Sequence, residues 1–178
     1  MYTPAEDSFL LLKNINKYIK PGTKFLEIGA GSGIISEKAK QLGAEVLATD
    51  IDSEVVGQLK RKNINIIKSN LFNNINNKDK FDLIVFNPPY LPEHKHDKKK
   101  DTTGGKRGDE TIIKFLKQAK NYLNKDGKIL LITSSLTPMK KIDKILDKDY
   151  KSRIIDKKKL FFEQLFLYEL SLKTHKSL

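Results

Sequence analysis

The sequence predicts an α/β fold in which a mostly parallel seven-stranded sheet carries helices on both faces and ends in a C-terminal antiparallel hairpin. Short apolar strand patterns alternate with amphipathic helix patterns five times, which favours a parallel sheet. A glycine-rich turn directly follows the first strand. The last two strand patterns have no helix between them, so we expect them to pair as a hairpin. The 178 residues are predicted to form one domain, 1–178.

Each element follows from a local signal. An opening helix within 1–20 is predicted to begin at Thr3, because Thr3, Pro4 and Glu6 match a capping box with proline in the first turn. Apolar runs predict five strands, at 24–28, 44–49, 64–68, 81–86 and 128–133. Helix patterns separate them, one ending at Leu42 and others at 53–62, 109–123 and 136–146. Turn-forming residues predict loop or one short helix over 70–80 and a turn at 124–127, and the hairpin strands are expected at 153–155 and 160–170.

The composition excludes several classes of protein. Cysteine is absent, which excludes a disulfide scaffold, cysteine-ligated zinc, iron–sulfur clusters and a thiol nucleophile in this chain. No apolar run reaches the roughly 18 residues that span a bilayer, and the N-terminus lacks the pattern of a secretory signal. We therefore expect a soluble, cytoplasmic protein with no membrane attachment.

The charge is strongly basic. Lysine and arginine number 34 against 22 acidic residues, a formal charge of +12. Such a charge is typical of proteins with nucleic-acid partners, but lysines are spread along the whole chain, so a solvated basic surface is the simpler interpretation. Two clusters exceed this background, at 94–107 and 151–159. The first lies in an aperiodic segment, 92–108, which we expect to be a mobile loop that meets another protein, RNA or only water.

The first constellation with chemical meaning is Glu27-x-Gly29-x-Gly31-x-Gly33 at a strand-to-helix turn. Glycines let the backbone turn tightly and approach a ligand closely. Asp50 ends the next strand, 21 residues after the first glycine, a spacing that suits a carboxylate bound to ribose hydroxyls. Glu27 would repel a pyrophosphate but suits a ligand with an amine and a sulfonium. The motif therefore favours S-adenosylmethionine over NAD, and a turn kept only for helix–sheet packing is the alternative.

The second constellation, Asn87-Pro88-Pro89-Tyr90, follows the fourth strand, at the end where open α/β sheets bind ligands. The Asn87 side-chain oxygen and the Pro88 carbonyl can accept the two hydrogens of a planar NH2 group, and Tyr90 can stack on a flat amide or base. Accepting both hydrogens shifts electron density towards the nitrogen and orients it for attack on a methyl carbon. The alternative is an ordinary proline turn.

Together these residues resemble the class I S-adenosylmethionine-dependent methyltransferases that act on planar nitrogens. More closely, the chain resembles the HemK-type glutamine methyltransferases of peptide release factors, in their short archaeal and eukaryotic branch. The resemblance runs over nearly the whole chain and implies a Rossmann-like fold. Its motifs are the opening segment 2–12, the cofactor loop 26–33, the strand end 49–51, the catalytic motif 86–90 and a second glycine-rich loop at 104–108.

The resemblance also implies roles for single residues. The cofactor is expected to contact Ser8, Glu27, Gly29, Gly31, Gly33, Asp50, Asn70, Leu71 and Asn87. The substrate amide is expected to be held by Asn87, Pro88, Pro89 and Tyr90. Asn70 departs from the family, which often has aspartate there, but an asparagine oxygen can still accept a hydrogen bond from an adenine amino group.

The function implied is methylation of the side-chain amide nitrogen of the glutamine in the Gly-Gly-Gln motif of a class-1 release factor. The short branch also implies a heterodimer with a small zinc-binding activator subunit that covers apolar surface near the third strand. Ile64, Ile66 and Ile67 are candidates for that contact, with ordinary burial as the alternative.

Other functions stay open. The Asn-Pro-Pro-Tyr motif is shared with adenine-N6 methyltransferases of DNA or RNA, although the catalytic fold leaves no residues for a domain that flips a base. A protein lysine methyltransferase and a non-catalytic binding module are further alternatives. Steep salt dependence would indicate nucleic acid, and indifference to Asn87→Ala would indicate a binding module.

The remaining candidates have simpler interpretations. Phe161, Phe162, Phe166 and Tyr168 could stack on bases, but core packing and hairpin pairing are favoured. His94 and His96 lack further ligands and are expected to be solvated, so no metal site is predicted.

Overall fold

The computed structural model describes residues 5–88 and 108–173. The N-terminal capping residues Thr3 and Pro4 and nearly all of the basic loop 92–108 lie outside these ranges. In chain order the elements are α1 (Glu6–Ile15), β1 (Lys24–Ile28), α2 (Ile34–Gln41), β2 (Glu45–Asp50), α3 (Ser53–Arg61), β3 (Ile66–Lys68), β4 (Phe81–Phe86), α4 (Glu110–Ala119), β5 (Leu123–Ser134), α5 (Met139–Asp149), β6 (Tyr150–Lys159) and β7 (Gln164–Leu172).

The seven strands form one sheet in the order β3-β2-β1-β4-β5-β7-β6. Strands β3, β2, β1, β4 and β5 pair in parallel, whereas β7 pairs antiparallel with both β5 and β6. The central strand β4 is buried at every position except Asp82, as expected for a strand covered on both faces. The predicted α/β fold with a C-terminal antiparallel hairpin is confirmed.

The helices divide between the two faces of the sheet. On one face, Leu11 and Ile15 of α1 and Ile35 of α2 pack with Phe25 of β1. Helix α3 lies on this same face. It packs on Ala48, which pairs with Glu27 of β1. Glu27 and Phe25 are two residues apart in one strand, so their side chains point to the same face of the sheet. On the other face, α4 and α5 bury a larger apolar cluster against β4 and β5.

Helix α1 has a defined direction along the sheet. Glu6, at its start, forms an ion pair with Lys158 at 3.3 Å, and Tyr18, beyond its end, donates a hydrogen bond to Glu169. Lys158 lies opposite Leu165, which pairs with the last residue of β5. The start of α1 therefore lies at the edge of the sheet where the parallel strands end, and this edge is called the carboxyl edge below.

The segment 124–127, predicted as a turn, instead lies inside β5. Leu123 is opposite Phe81 but Lys128 is opposite Leu83, so the pairing with β4 shifts register here and the extra residues bulge from the ladder. Gly127 is buried in this bulge. A Cβ added to it would lie 2.9 Å from the Phe81 carbonyl oxygen.

Helices α1, α4 and α5 differ most from their predicted bounds, and strands β3, β5, β6 and β7 also begin at other residues than predicted. Helix α1 ends before Tyr18 and α4 ends at Ala119, because the following residues already turn towards β1 and β5. Helix α5 begins only at Met139, since Thr137 and Ser134 exchange hydrogen bonds in the turn before it. Strand β6 is far longer than predicted, because an exposed, lysine-rich edge strand carries little apolar signal.

One predicted contact of apolar residues is wrong. Phe161 and Phe162 do not pack in the core but are 92% and 86% exposed, because they occupy the turn between β6 and β7. Ile64 and Ile66, for which ordinary burial was the alternative to a partner contact, are buried against α3. Ile67 is half-buried.

In the part of the chain that the structure describes, every helix is too short or too polar to cross a membrane.

Two glycine substitutions test the bulge in β5. Gly127→Ala should lower the free energy of unfolding by about 1–3 kcal/mol, because its methyl group must displace backbone. The matched variant Gly57→Ala, in α3, meets only the end of the Arg61 side chain at 3.8 Å and should raise stability by up to about 1 kcal/mol. Urea unfolding of both variants measures the difference, and equal effects would contradict the bulge.

Candidate active site

The carboxyl edge brings three predicted residues to one level. Ile28 of β1 pairs with Thr49 on one side and Phe86 on the other. The next residue along each strand is Gly29, Asp50 or Asn87, so these three stand side by side at the ends of β1, β2 and β4. Neighbouring strands are about 4.8 Å apart, which places Asp50 and Asn87 about 10 Å apart with the glycine turn between them.

The carboxylate of Asp50 is held in place by backbone donors. The Gly31 amide donates to Oδ2 and the Asp52 amide donates to Oδ1, both at 2.9 Å. The backbone of the turn is tied to the same strand, because the Ala30 amide donates to the Thr49 carbonyl at 2.9 Å. The side chain is therefore oriented before any ligand arrives, with the remaining lone pairs available for hydroxyl donors.

Glu27 is buried beneath the glycine turn. The Ser36 backbone amide donates to Oε2 at 3.0 Å, and the Ser36 hydroxyl donates to the same oxygen. Burial raises the pKa of Glu27 to about 8; the hydrogen bonds from Ser36 offset this in part, and the nearby Asp50 charge adds to it. In the free protein the carboxyl is thus mostly protonated at pH 7. The predicted repulsion of anions is correspondingly weak until a cationic group favours the charged form.

The glycines of the turn differ in what surrounds them. Gly29 has φ +70, and a Cβ there would meet only Phe86, at 4.0 Å, so the space above it is open. Gly33 has φ +79, and a Cβ there would lie 2.4 Å from Leu59. Gly33 therefore permits close packing of α2 on α3, whereas Gly29 leaves room for a ligand.

Asn87 directly follows β4, and the oxygen of its side chain lies in an unusual environment. Its side-chain oxygen Oδ1 is buried and accepts no hydrogen bond from any residue in the described ranges. Pro88 is buried beside it, and Phe86, the preceding residue, packs on Phe115 with ring centroids 4.5 Å apart. A buried, unpaired oxygen costs about 1–3 kcal/mol, so it marks a place where a ligand hydrogen fits. Pro89 and Tyr90 lie outside the described residues.

Asn70 and Leu71 lie just beyond β3, next to Asp50. The Ser69 amide donates to the Asp50 carbonyl at 2.9 Å, and the Ser69 hydroxyl donates to the Leu71 carbonyl, also at 2.9 Å. This bond holds Leu71 at φ +51, an uncommon conformation for a branched residue. Asn70 is exposed and Leu71 half-buried, so both border the open space at this edge. The rest of 70–80 is turn rather than helix.

Ser8 lies in the first turn of α1, near the carboxyl edge. It is buried, as is Asp7, and its backbone amide donates to Asp7 Oδ1 at 2.6 Å. The structure thus brings Ser8, Glu27, Gly29, Gly31, Asp50, Asn70, Leu71, Asn87 and Pro88 to one edge of the sheet. It leaves Gly33 behind this edge as a packing residue.

Sequence reasoning missed two residues. Ser36 is fully buried and holds Glu27; a polar residue within the apolar pattern of α2 was the signal. Thr133, near the end of β5, is also buried, with a hydroxyl that has no partner in the described ranges. No sequence pattern distinguishes Thr133 from an ordinary strand residue. Among residues 5–88 and 108–173, no group of three or more potential ligands could hold a metal ion.

Comparison with known proteins gives a consistent result. The family model described as "Methyltransferase small domain" matches residues 6–162. A protein of Methanocaldococcus jannaschii, provisionally named a protein N5-glutamine methyltransferase, is 38% identical over 185 residues, which cover 94% of this chain and 89% of that protein. Methyltransferase HEMK2 of Mus musculus is 32% identical, with 75% of this chain and 71% of that protein covered.

Other relatives are ribosomal protein L11 methyltransferases, and the chain spans less than half of the length of each, for example 42% of that of Thermosipho africanus. Among solved structures, the Mtq2 chain of the E. cuniculi Mtq2–Trm112 complex, described as responsible for methylation of the termination factor eRF1, superposes with a TM-score of 0.77. It is 22% identical, and the match covers 97% of this chain and 98% of that chain.

The burial of Glu27 predicts a pH-dependent stability. Its pKa is raised from 4.5 to about 8 by folding, so its stability contribution is complete below pH 4.5 and is lost as the pH rises to 8. In Glu27→Gln the side-chain oxygen can still accept from Ser36. Because the amide does not ionise, the loss of stability with rising pH should disappear. The variant should melt within about 2 °C of the parent at pH 5 but about 5 °C or more above it at pH 8.5.

Thermal unfolding over pH 5–8.5 measures this difference. Glu45→Gln, at an exposed position of β2, is the matched control and should follow the parent at every pH. A Glu27→Gln curve parallel to that of the parent would contradict the buried-carboxyl interpretation.

Proposed function

Because this chain belongs to the methyltransferase small domain family, we propose that it methylates the side-chain amide nitrogen of a glutamine, that of the Gly-Gly-Gln motif of a class-1 peptide release factor. The observation that carries this proposal is the buried Oδ1 of Asn87, which accepts no hydrogen bond from the residues that the structure describes. The M. jannaschii relative, which is named for glutamine methylation, supports the choice of substrate. So does the resemblance of the sequence to HemK-type enzymes, which the match to methyltransferase HEMK2 bears out.

The methyl donor proposed is S-adenosylmethionine, and the residues present fit it. Asp50 offers a pre-oriented carboxylate for ribose hydroxyls, and Gly29 leaves open space above the turn. Glu27 can become charged opposite an amine, and Asn70 and Leu71 border the place where an adenine would lie. Ser8, Gly31 and Asn87 complete the proposed contacts, with Gly33 acting through packing.

When bound, S-adenosylmethionine supplies an electrophilic methyl group. The work of the protein is to hold the nucleophile. The Asn87 oxygen and the Pro88 carbonyl accept the two hydrogens of the glutamine amide, and Tyr90 stacks on its plane. This arrangement limits delocalisation of the nitrogen lone pair into the carbonyl and aims it at the methyl carbon. Methyl transfer would form the new N–C bond as the donor's sulfur–methyl bond breaks, so that S-adenosylhomocysteine would leave with the electron pair and one of the two amide protons would be released to solvent.

A planar amine with two hydrogens also occurs on adenine, so the acceptor pair alone does not separate glutamine from a nucleobase. One feature favours the protein substrate: the M. jannaschii relative, of which 89% is covered, is named as a protein methyltransferase. Methylation of adenine and methylation of lysine are the other two outcomes that the experiment below can detect.

A small activator subunit is part of the proposal. The structural neighbour Mtq2 is in complex with Trm112, and here β3 is an edge strand of three residues with one side unpaired. The partner would meet this edge and the exposed Ile51 rather than the buried Ile64 and Ile66. We propose that it binds zinc itself, and that the pair acts in the cytoplasm, where release factors work.

Asn87→Ala tests the acceptor role. Removing the oxygen should lower the rate of methyl transfer to the release factor by about 100-fold or more, while the dissociation constant of S-adenosylmethionine changes by less than about ten-fold. Asn77→Ala, an exposed asparagine, is the matched control and should leave both unchanged.

The measurement uses labelled S-adenosylmethionine with the activator subunit present and absent. A release factor whose glutamine is replaced by asparagine should accept no label. Transfer that survives Asn87→Ala, or label that appears on an adenine-containing oligonucleotide instead, would contradict the proposal.

Cofactor binding should also be linked to protons. Because Glu27 is mostly protonated in the free protein at pH 7 and must ionise to hold an amine, affinity for S-adenosylmethionine should rise close to ten-fold from pH 6 to pH 7. Calorimetry in buffers of different ionisation enthalpy should detect close to one proton released at pH 7. In Glu27→Gln both the release and the pH dependence should disappear; a parent chain that releases no proton would refute the linkage.

A further inference from the structure

The turn between β6 and β7 carries two neighbouring phenylalanines that the described part of the chain leaves exposed. Phe161 and Phe162 are 92% and 86% exposed and pack edge to face on each other, with ring centroids 4.6 Å apart and planes at 83°. Two large aromatic side chains displayed together on a loop are unusual for a surface that meets only water. Residues 160–163 are called the hairpin tip below.

The hairpin tip lies at the carboxyl edge, beside the candidate active site. Gln164 directly follows it, and the backbone amide of Ser135, just after β5, donates to the Gln164 carbonyl at 2.8 Å. The Ser135 hydroxyl accepts from the Gln164 amide at 3.0 Å. Strand β7 is two positions from β4 in the sheet, about 10 Å to the side. Asn87 is level with Leu167 of β7, so the tip begins four residues, roughly 13 Å, beyond the level of Asn87 along the strand direction.

This position is on the substrate side of the site. Apart from Ser8 in α1 and Asn87 itself, the proposed cofactor contacts lie at the ends of β1, β2 and β3, on one side of Asn87 in the strand order. The hairpin tip lies on the opposite side, beyond β5. A large molecule that offers a side chain to Asn87 would therefore extend over the tip.

The strand leading into the hairpin tip is positively charged. Lys157, Lys158 and Lys159 are all exposed, and Lys158 is paired with Glu6. The other two make no ion pair with any residue of the described ranges. One acid, Glu163, lies in the turn, so the segment keeps a net positive charge. A partner surface with acidic residues would complement it.

We propose that the hairpin tip docks the polypeptide substrate, by inserting Phe161 and Phe162 into an apolar pocket rimmed by acidic residues beside the methylated loop. The inference rests on the proposed function and adds a recognition element to it. The edge-to-face pair makes a compact wedge that fits a protein pocket, whereas consecutive bases of an RNA stack on rings presented side by side. Aromatic side chains of this kind dominate the binding energy of protein interfaces.

Steady-state methylation by the full chain, with the activator subunit present in every arm, tests the docking role. The double variant Phe161→Ala/Phe162→Ala should raise KM for the full-length release factor by about ten-fold or more. Its kcat at saturation and its affinity for S-adenosylmethionine should stay within about two-fold of the parent. A short peptide carrying Gly-Gly-Gln, which cannot reach the tip, should be methylated equally by both. Lys157→Glu/Lys159→Glu should raise the same KM without touching the aromatic pair.

Ile154→Ala is the matched control, because Ile154 is 49% exposed on the same strand but distant from the tip. It should leave KM unchanged. The docking role would be overturned by an unchanged KM in the phenylalanine variant, or by an equal loss on the peptide. It would also be overturned if the variant lost affinity for a single-stranded RNA while KM for the release factor stayed the same. No transfer to the release factor by the parent chain would refute the proposed function itself, and with it this docking partner.

Discussion

The parallel pairing of β1 between β2 and β4 is the constraint on which the rest of the site depends. Since the three strands pair in register up to Ile28, the chain leaves the sheet at the same level three times. The strand register itself thereby sets a glycine turn, a carboxylate and an asparagine side by side. The Ala30 amide, bound to the Thr49 carbonyl, extends this order into the turn. A binding surface made by strand ends is rigid before it meets a ligand, which is what preorganised catalysis requires.

Within that frame, the polar groups fall into two kinds. Those of Asp50 are satisfied by the backbone and have lone pairs left to offer. The polar groups of Glu27 and Asn87 are buried at a cost in stability. Burial raises the pKa of Glu27, and the Asn87 Oδ1 accepts no hydrogen bond from the described residues. A fold that carries such costs at one edge of its sheet, and few elsewhere in the described residues, has placed them where a ligand can offset them.

Much of this was predictable from sequence, and the exceptions have physical reasons. The mostly parallel sheet, its C-terminal hairpin and the carboxyl-edge site follow from alternating apolar patterns and from glycine and acid spacing, because these signals are local. The role of Ser36 was not predicted, because it depends on a contact with Glu27, nine residues earlier in the chain. The bulge in β5 was predicted as a turn, because turn-forming residues can interrupt the pairing of a strand without ending it. Phe161 and Phe162 were predicted to be core residues because hydrophobicity alone does not reveal that a turn carries them past both faces.

Tandem mass spectrometry of a release factor after incubation with the chain, its activator subunit and S-adenosylmethionine would test the central claim most directly. The account predicts a single added methyl group, about 14 Da, on the side-chain amide of the Gly-Gly-Gln glutamine and on no other residue. A methyl group on a lysine, or an unmodified release factor beside a methylated nucleic acid, would contradict it.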